Sequence, residues 1–113
     1  MGKKRIPDSV GQAALADWQS EAAMAVRYLL QQIEDQHPGH SVELRIPPFG
    51  AIQCIAGLNH RRGTPPNVVE IAPENFIRIC LGELSWPEAE QQGMLSVSGV
   101  LAKELTDIFP LDI

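Results

Sequence analysis

The chain has 113 residues, nine Lys and Arg against fourteen Asp and Glu, and a formal charge of −5. That is the length of one domain, and a chain of this size buries roughly 65% of the surface its unfolded form exposes, enough for a core without staples. Hydrophobic residues at 44% and charged residues at 20% exclude a disordered chain. The acidic balance argues against non-specific nucleic-acid binding, and no apolar run approaches the roughly 20 residues of a membrane span.

Residues 1–12 are polar and contain Pro7, Asp8, Ser9 and Gly11, which reads as a flexible N-terminal arm ahead of a single domain over 13–113. Lys3-Lys4-Arg5 is basic, but no apolar stretch follows, so a secretory leader is not expected. Ile6 stands where a myristoylation signal needs Ser or Thr. The expected compartment is the cytoplasm. Cys54 and Cys80 lie in apolar stretches outside any Cys-x-x-Cys pair, and buried thiols are the plain account of both.

From Ala13 to Gln36 the apolar residues Leu15, Trp18, Ala22, Val26, Leu29, Leu30 and Ile33 recur at steps of one, three and four. This spacing predicts one long amphipathic helix, ended by Pro38-Gly39. Ser41 to Ile46 alternates strictly and predicts a half-buried strand. After the Pro47-Pro48-Phe49-Gly50 bend, Ala51 to Ala56 predicts a second strand, paired antiparallel with the first as a hairpin. Residues 59–66 are a loop rich in Arg, Gly and Pro, and Asn67 to Ile71 is a short third strand.

Pro73 suits a first helical turn, and a short helix runs from Asn75 to Leu81 with Phe76, Ile79 and Cys80 on its apolar side. Gly82 serves as its C-terminal cap. Ser85-Trp86-Pro87-Glu88 is a capping-box start for a brief helix that stops near Gly93. Leu95 to Ser98 alternates as a fourth strand, and Val100 to Phe109 predicts a closing helix with Leu101, Leu105, Ile108 and Phe109 on one side. Strands and helices do not alternate as βαβα. The fold class is α+β: an antiparallel-rich twisted sheet of about four to five strands covered by helices on one side.

The segment from Asn67 to Phe109 contains Cys-Leu-Gly-Glu-Leu-Ser-Trp-Pro-Glu-Ala at 80–89 and Gln-Gly-Met-Leu-Ser-Val-Ser-Gly at 92–99. It resembles the sterol carrier protein type 2 family, with its short helix ending in Gly, second short helix, Gly-x-Leu-x-Val-x-Gly strand and closing helix. The amphipathic helix and hairpin ahead of it match the family's order, so the resemblance covers about residues 13–110. His60 to Glu70 and the Val-Glu-Leu-Arg-Ile-Pro-Pro-Phe of 42–49 resemble a bacterial sterol-carrier-like branch. The resemblance implies a sheet and helices enclosing an apolar tunnel that binds lipids, fatty acyl chains or sterols without chemistry of its own.

The residues themselves point to no catalytic constellation. His37 and His40 flank a turn and His60 lies in a loop, with no His-x-x-x-His spacing and no cysteine cluster for a metal. No Gly-x-Ser-x-Gly is present, and Ser96 and Ser98 share a face of a strand where polar residues meet solvent. Phe49, Phe76, Trp86, Met94, Leu101, Leu105 and Phe109 are the candidates for lining an apolar cavity; the plainer account is a filled core. Arg61, Arg62 and Thr64 concentrate donors in a loop of an acidic protein. They fit an anion or head-group site at the cavity rim, or a solvated loop paired with Glu70.

Three functions are open. The first is non-enzymatic binding or carriage of an apolar small molecule or lipid, without a cofactor, nucleic acid or stable membrane insertion. The second is an accessory or protein-interaction domain with the carrier fold kept as scaffold and its pocket closed. The third is an enzyme whose Arg loop holds an anionic substrate, and for it no base or nucleophile is placed nearby. The first is the expectation, resting on the resemblance and on the absence of a catalytic constellation.

Overall fold

A computed structural model describes residues 4–57 and 67–113, except the side chains of 100–102. The elements are α1 (Asp8–Ala16), α2 (Ala22–Gln36), β1 (Val42–Ile46), β2 (Gly50–Cys54), β3 (Asn67–Ile71), α3 (Pro73–Cys80), α4 (Trp86–Gln91), β4 (Leu95–Ser98) and a closing 3-10 helix (Val100–Ile108). The α+β architecture is as the pattern of apolar residues predicts.

The long helix expected over 13–36 is two helices. Asp17 leaves helical geometry (φ −132, ψ 44), and residues 17–20 form turns before α2 begins. Asp17 and Ser20 are short polar side chains that compete with the helical backbone and favour turns. The corner folds α1 back on α2, burying Ala14 and Leu15 in the common core. Helix α1 also takes in residues 8–12, which the polarity of the sequence assigned to the arm. Helix α2 ends at Gln36, just ahead of Pro38, as the proline requires.

The four strands form one mixed sheet in the order β2-β1-β3-β4. Strands β1 and β2 pair antiparallel, with Leu44 opposite Ile52; β3 and β4 pair antiparallel, with Val69 opposite Val97. Between them β1 and β3 run parallel, with Leu44 opposite Val69. Parallel pairing requires the chain to return to the end of the sheet where β1 starts, and antiparallel β2 makes that return: Cys54 and Asn67 both lie opposite Val42. Strand β2 stops at Cys54, short of the Ala56 that alternation suggested, because Ile55 turns into the left-handed region at φ 68. Asn67, at the start of β3, is buried and donates from its amide Nδ2 to the Ser41 carbonyl at 2.9 Å.

Period two gives this sheet one apolar face. Val42, Leu44, Ile46, Ile52, Cys54, Val69 and Ile71 are buried against the helices. Glu43 and Arg45, at the intervening positions of β1, form an ion pair on the other face. Phe76, Ile77 and Ile79 of α3 and Leu29 and Ile33 of α2 fill the space above the apolar face, all at most 1% exposed.

The C-terminal third follows its local signals. Gly82, with φ 82, caps α3, where a side chain would be strained. The Ser85 hydroxyl accepts from the Glu88 N–H at 3.2 Å, and the Glu88 carboxylate accepts from the Ser85 N–H at 3.2 Å. This is the capping box read from the sequence. The closing segment is helical as predicted but of the 3-10 type. In that geometry residues three apart eclipse, which puts buried Leu105 in line with half-buried Ile108. Phe109 stacks on Trp86, ring centroids 5.5 Å apart and planes within 8°. The Leu111 N–H then donates to the Cys80 carbonyl at 3.0 Å, tying the C-terminus to α3.

Candidate functional site

Helix α2 buries one stripe in the core and carries a second along its flank. Met24, Arg27, Gln31 and Glu34 recur at steps of three, four and three, which places them on one side of the helix. That flank faces the start of β2, an edge strand of the sheet. The N-terminal segment of residues 4–6 runs alongside. Together they enclose a groove of about 630 Å³. Ile6, Met24, Leu30, Phe49 and Ile52 supply its apolar surface, and Lys4, Arg5, Arg27, Gln31 and Glu34 its polar rim. The volume lies within the roughly 300–1,000 Å³ of small-molecule sites.

The N-terminal wall is held by side chains of α2. The Ile6 N–H donates to Gln31 Oε1 at 2.9 Å, and Gln31 Nε2 donates back to the Ile6 carbonyl at 3.0 Å. Arg5 grips Asp35 with both terminal nitrogens, at 3.2 and 2.7 Å. The guanidinium holds the Asp35 carboxyl below the usual carboxylate range, by hydrogen bond first and charge second. Beyond Pro7 the attachment is firmer. The Tyr28 hydroxyl, on a ring 2% exposed, donates to the Asp8 carboxylate at 2.9 Å. Burial chiefly, and that acceptor, push the Tyr28 phenol up.

Among the described residues, Phe49 is the one expected lining residue in this groove. Met94 lies at a second, shallower depression of about 380 Å³ with Pro47, Glu70, Ile71 and Leu95. Phe76 and Leu105 are fully buried in the core, and Trp86, 5% exposed, is stacked on Phe109. The side chain of Leu101 and the whole of Arg61, Arg62 and Thr64 lie outside the described residues. The structure therefore divides the described candidates among the core, a ring stack and two surface depressions.

Reading the sequence missed Ile6, Met24, Leu30 and Ile52 as groove residues, and Lys4, Arg5 and Arg27 as its cations. The α2 flank was legible as a second stripe with Met and Arg at helical spacing. Ile6 was not, because it sits in a stretch whose polarity reads as a loose arm.

Neither cysteine is placed for nucleophilic chemistry. Burial pushes the Cys54 thiol up to about 12, with Glu34 adding to it, and drives Cys80 well above its ordinary value. Among the described residues no three His, Cys, Asp or Glu side chains converge in a metal-holding group, and no helix is long and apolar enough to cross a membrane.

Fold and groove together define a small α+β domain with a one-sided mixed sheet, its apolar face under helices, and an apolar recess where α2 meets the sheet edge. A family model described as bacterial SCP ortholog matches residues 19–111. The chain belongs to this bacterial sterol-carrier-protein-like family. No curated protein matches the chain.

Proposed function

We propose that the protein binds and carries an apolar or amphipathic small molecule, such as a fatty acyl or isoprenoid chain, without catalysing a reaction on it. The observation that carries this reading is the groove, in which half-buried Ile6, Met24 and Phe49 line an open recess beside buried Leu30 and Ile52. Each methylene a ligand buries there contributes about 0.8 kcal/mol, so about ten of them give a gross gain near 8 kcal/mol. That gross gain is the scale of a micromolar dissociation constant, and the cost of association, about 4 kcal/mol or more, brings the net for ten methylenes to the millimolar scale or weaker, so tighter binding needs a longer chain. Membership of a sterol-carrier-like family supports the same reading.

A specific observation also favours the second reading, a carrier scaffold with its pocket closed. Phe76, Ile77, Leu44 and Leu105 fill the space between sheet and helices, all fully buried. Native mass spectrometry of protein purified without detergent, followed by denaturing extraction, separates the two. A discrete added mass released as a fatty acid or isoprenoid establishes the carrier. A bare mass, together with no enhancement of N-phenylnaphthylamine fluorescence, establishes the scaffold.

A further inference from the structure

The groove has one wall unlike the others. Helix α2 and strand β2 are anchored in the core, whereas residues 4–6 have no regular secondary structure. Among the described residues, that segment is tied by the side chains of two residues of α2. Gln31 pairs with both the N–H and the carbonyl of Ile6, and Asp35 pairs with Arg5. Both partners of the ion pair are largely in water, at 65% and 43% exposure. The pair is bidentate, but water and salt screen it at this exposure, which keeps its contribution small. Ile6 lies against the same apolar surface that a ligand would cover.

The firm attachment starts one residue later. Pro7 precedes α1 in extended geometry, with φ −62 and ψ 146. Asp8 is bonded to Tyr28, and Gly11 packs against the Tyr28 ring, so α1 is anchored on α2 by buried contacts. The boundary between lightly and firmly held chain thus falls at Pro7, at the end of the groove.

We propose that residues 4–6, hinged at Pro7, are a gate over the groove. The segment lifts from α2 to admit or release an apolar ligand and is latched again by Gln31 and Asp35. This inference rests on the reading of the groove as the ligand site. A gate differs from a fixed wall in its kinetics. Weakening the latch destabilises the closed state equally with and without ligand, so entry and exit accelerate together and Kd stays put. Weakening a fixed wall accelerates exit alone and raises Kd.

The test uses the full chain with Asp35→Asn, a residue outside the groove lining, and the uncharged probe N-phenylnaphthylamine in stopped flow. The expected result is a rise of about threefold in both association and dissociation rates, the scale of one exposed ion pair. Hydrogen exchange of the Ile6 N–H rises by the same factor. Raised ionic strength reproduces the acceleration in the wild type and adds nothing to the variant. The charge-swapped pair Arg5→Asp with Asp35→Arg returns both rates toward wild type. Probe binding with unaltered rates in Asp35→Asn, or with only the dissociation rate changed, overturns the gate and leaves the groove as the ligand site. No probe binding to the wild-type chain overturns the reading of the groove and the gate with it.

Discussion

Gly11 stands in the middle of α1, where replacing glycine by alanine ordinarily stabilises a helix by about 1 kcal/mol. Here the opposite sign is expected. A Cβ on Gly11 would lie 2.2 to 2.5 Å from three ring atoms of Tyr28, distances no carbon pair sustains. The ring is 2% exposed, and its hydroxyl is held by Asp8 at 2.9 Å, so it cannot swing aside at no cost. Overpacking of a close-packed site costs about 1–3 kcal/mol, and disturbing the Tyr28–Asp8 bond adds about 1 kcal/mol. Subtracting the gain in helix propensity leaves a net loss of about 1–3 kcal/mol. With an m-value of about 1.5 kcal/mol/M for a chain this size, the urea midpoint of Gly11→Ala falls by roughly 1 M. In a Tyr28→Ala background the added methyl meets no ring, and the same substitution raises the midpoint of that variant. An increase in stability from Gly11→Ala in the wild-type background would refute the packing of α1 on α2, and with it the anchor for the gate's hinge.

Two of the three phenylalanines read together from the sequence, Phe49 and Phe76, are expected to separate in function. Phe49→Ala, at the groove, weakens N-phenylnaphthylamine binding about tenfold by removing part of the apolar surface, with little change in urea midpoint. Phe76→Ala, fully buried, costs about 3–5 kcal/mol and shifts the midpoint far more. Asp35 has a folded pKa held below its unfolded value, so the stability it adds is present above the unfolded pKa of about 4 and is lost as pH falls through the folded value. The pair is exposed, so the contribution is small; in acid titration Asp35→Asn should show a shallower stability loss below about pH 4, and an unchanged slope would count against the pairing. Both thiols should resist iodoacetamide at neutral pH in the folded protein and react fully in denaturant, as counted by mass, because burial keeps Cys54 and Cys80 protonated and out of reach.

Local signals settled much of this protein. The alternation of Val42-Glu43-Leu44-Arg45-Ile46 puts its apolar residues on one face whatever the neighbours are, and that is the buried face. Pro38, Gly82 and the Ser85–Glu88 box mark boundaries through backbone geometry within a few residues, and α2, α3 and α4 end or begin there. The family match, too, was visible in the motifs of 80–99.

Tertiary structure decided what depends on distant partners. Hydrophobic spacing runs through Asp17 and cannot show that the chain folds back there, because the gain comes from packing Gly11 on Tyr28 across two helices. The parallel pairing of β1 with β3 depends on β3 joining the free edge of β1 after β2 has brought the chain back, and β-strand periodicity carries neither edge nor direction. Polarity assigned residues 1–12 to a loose arm. Contacts 20 to 30 residues away, Asp8 with Tyr28 and Arg5 with Asp35, accompany residues 8–12 in a helix and residues 4–6 in one wall of the groove. An apolar residue's type states that it avoids water. Whether it does so inside the core, as Phe76 does, or along a recess that a ligand can share, as Phe49 does, is set by what the fold places opposite it.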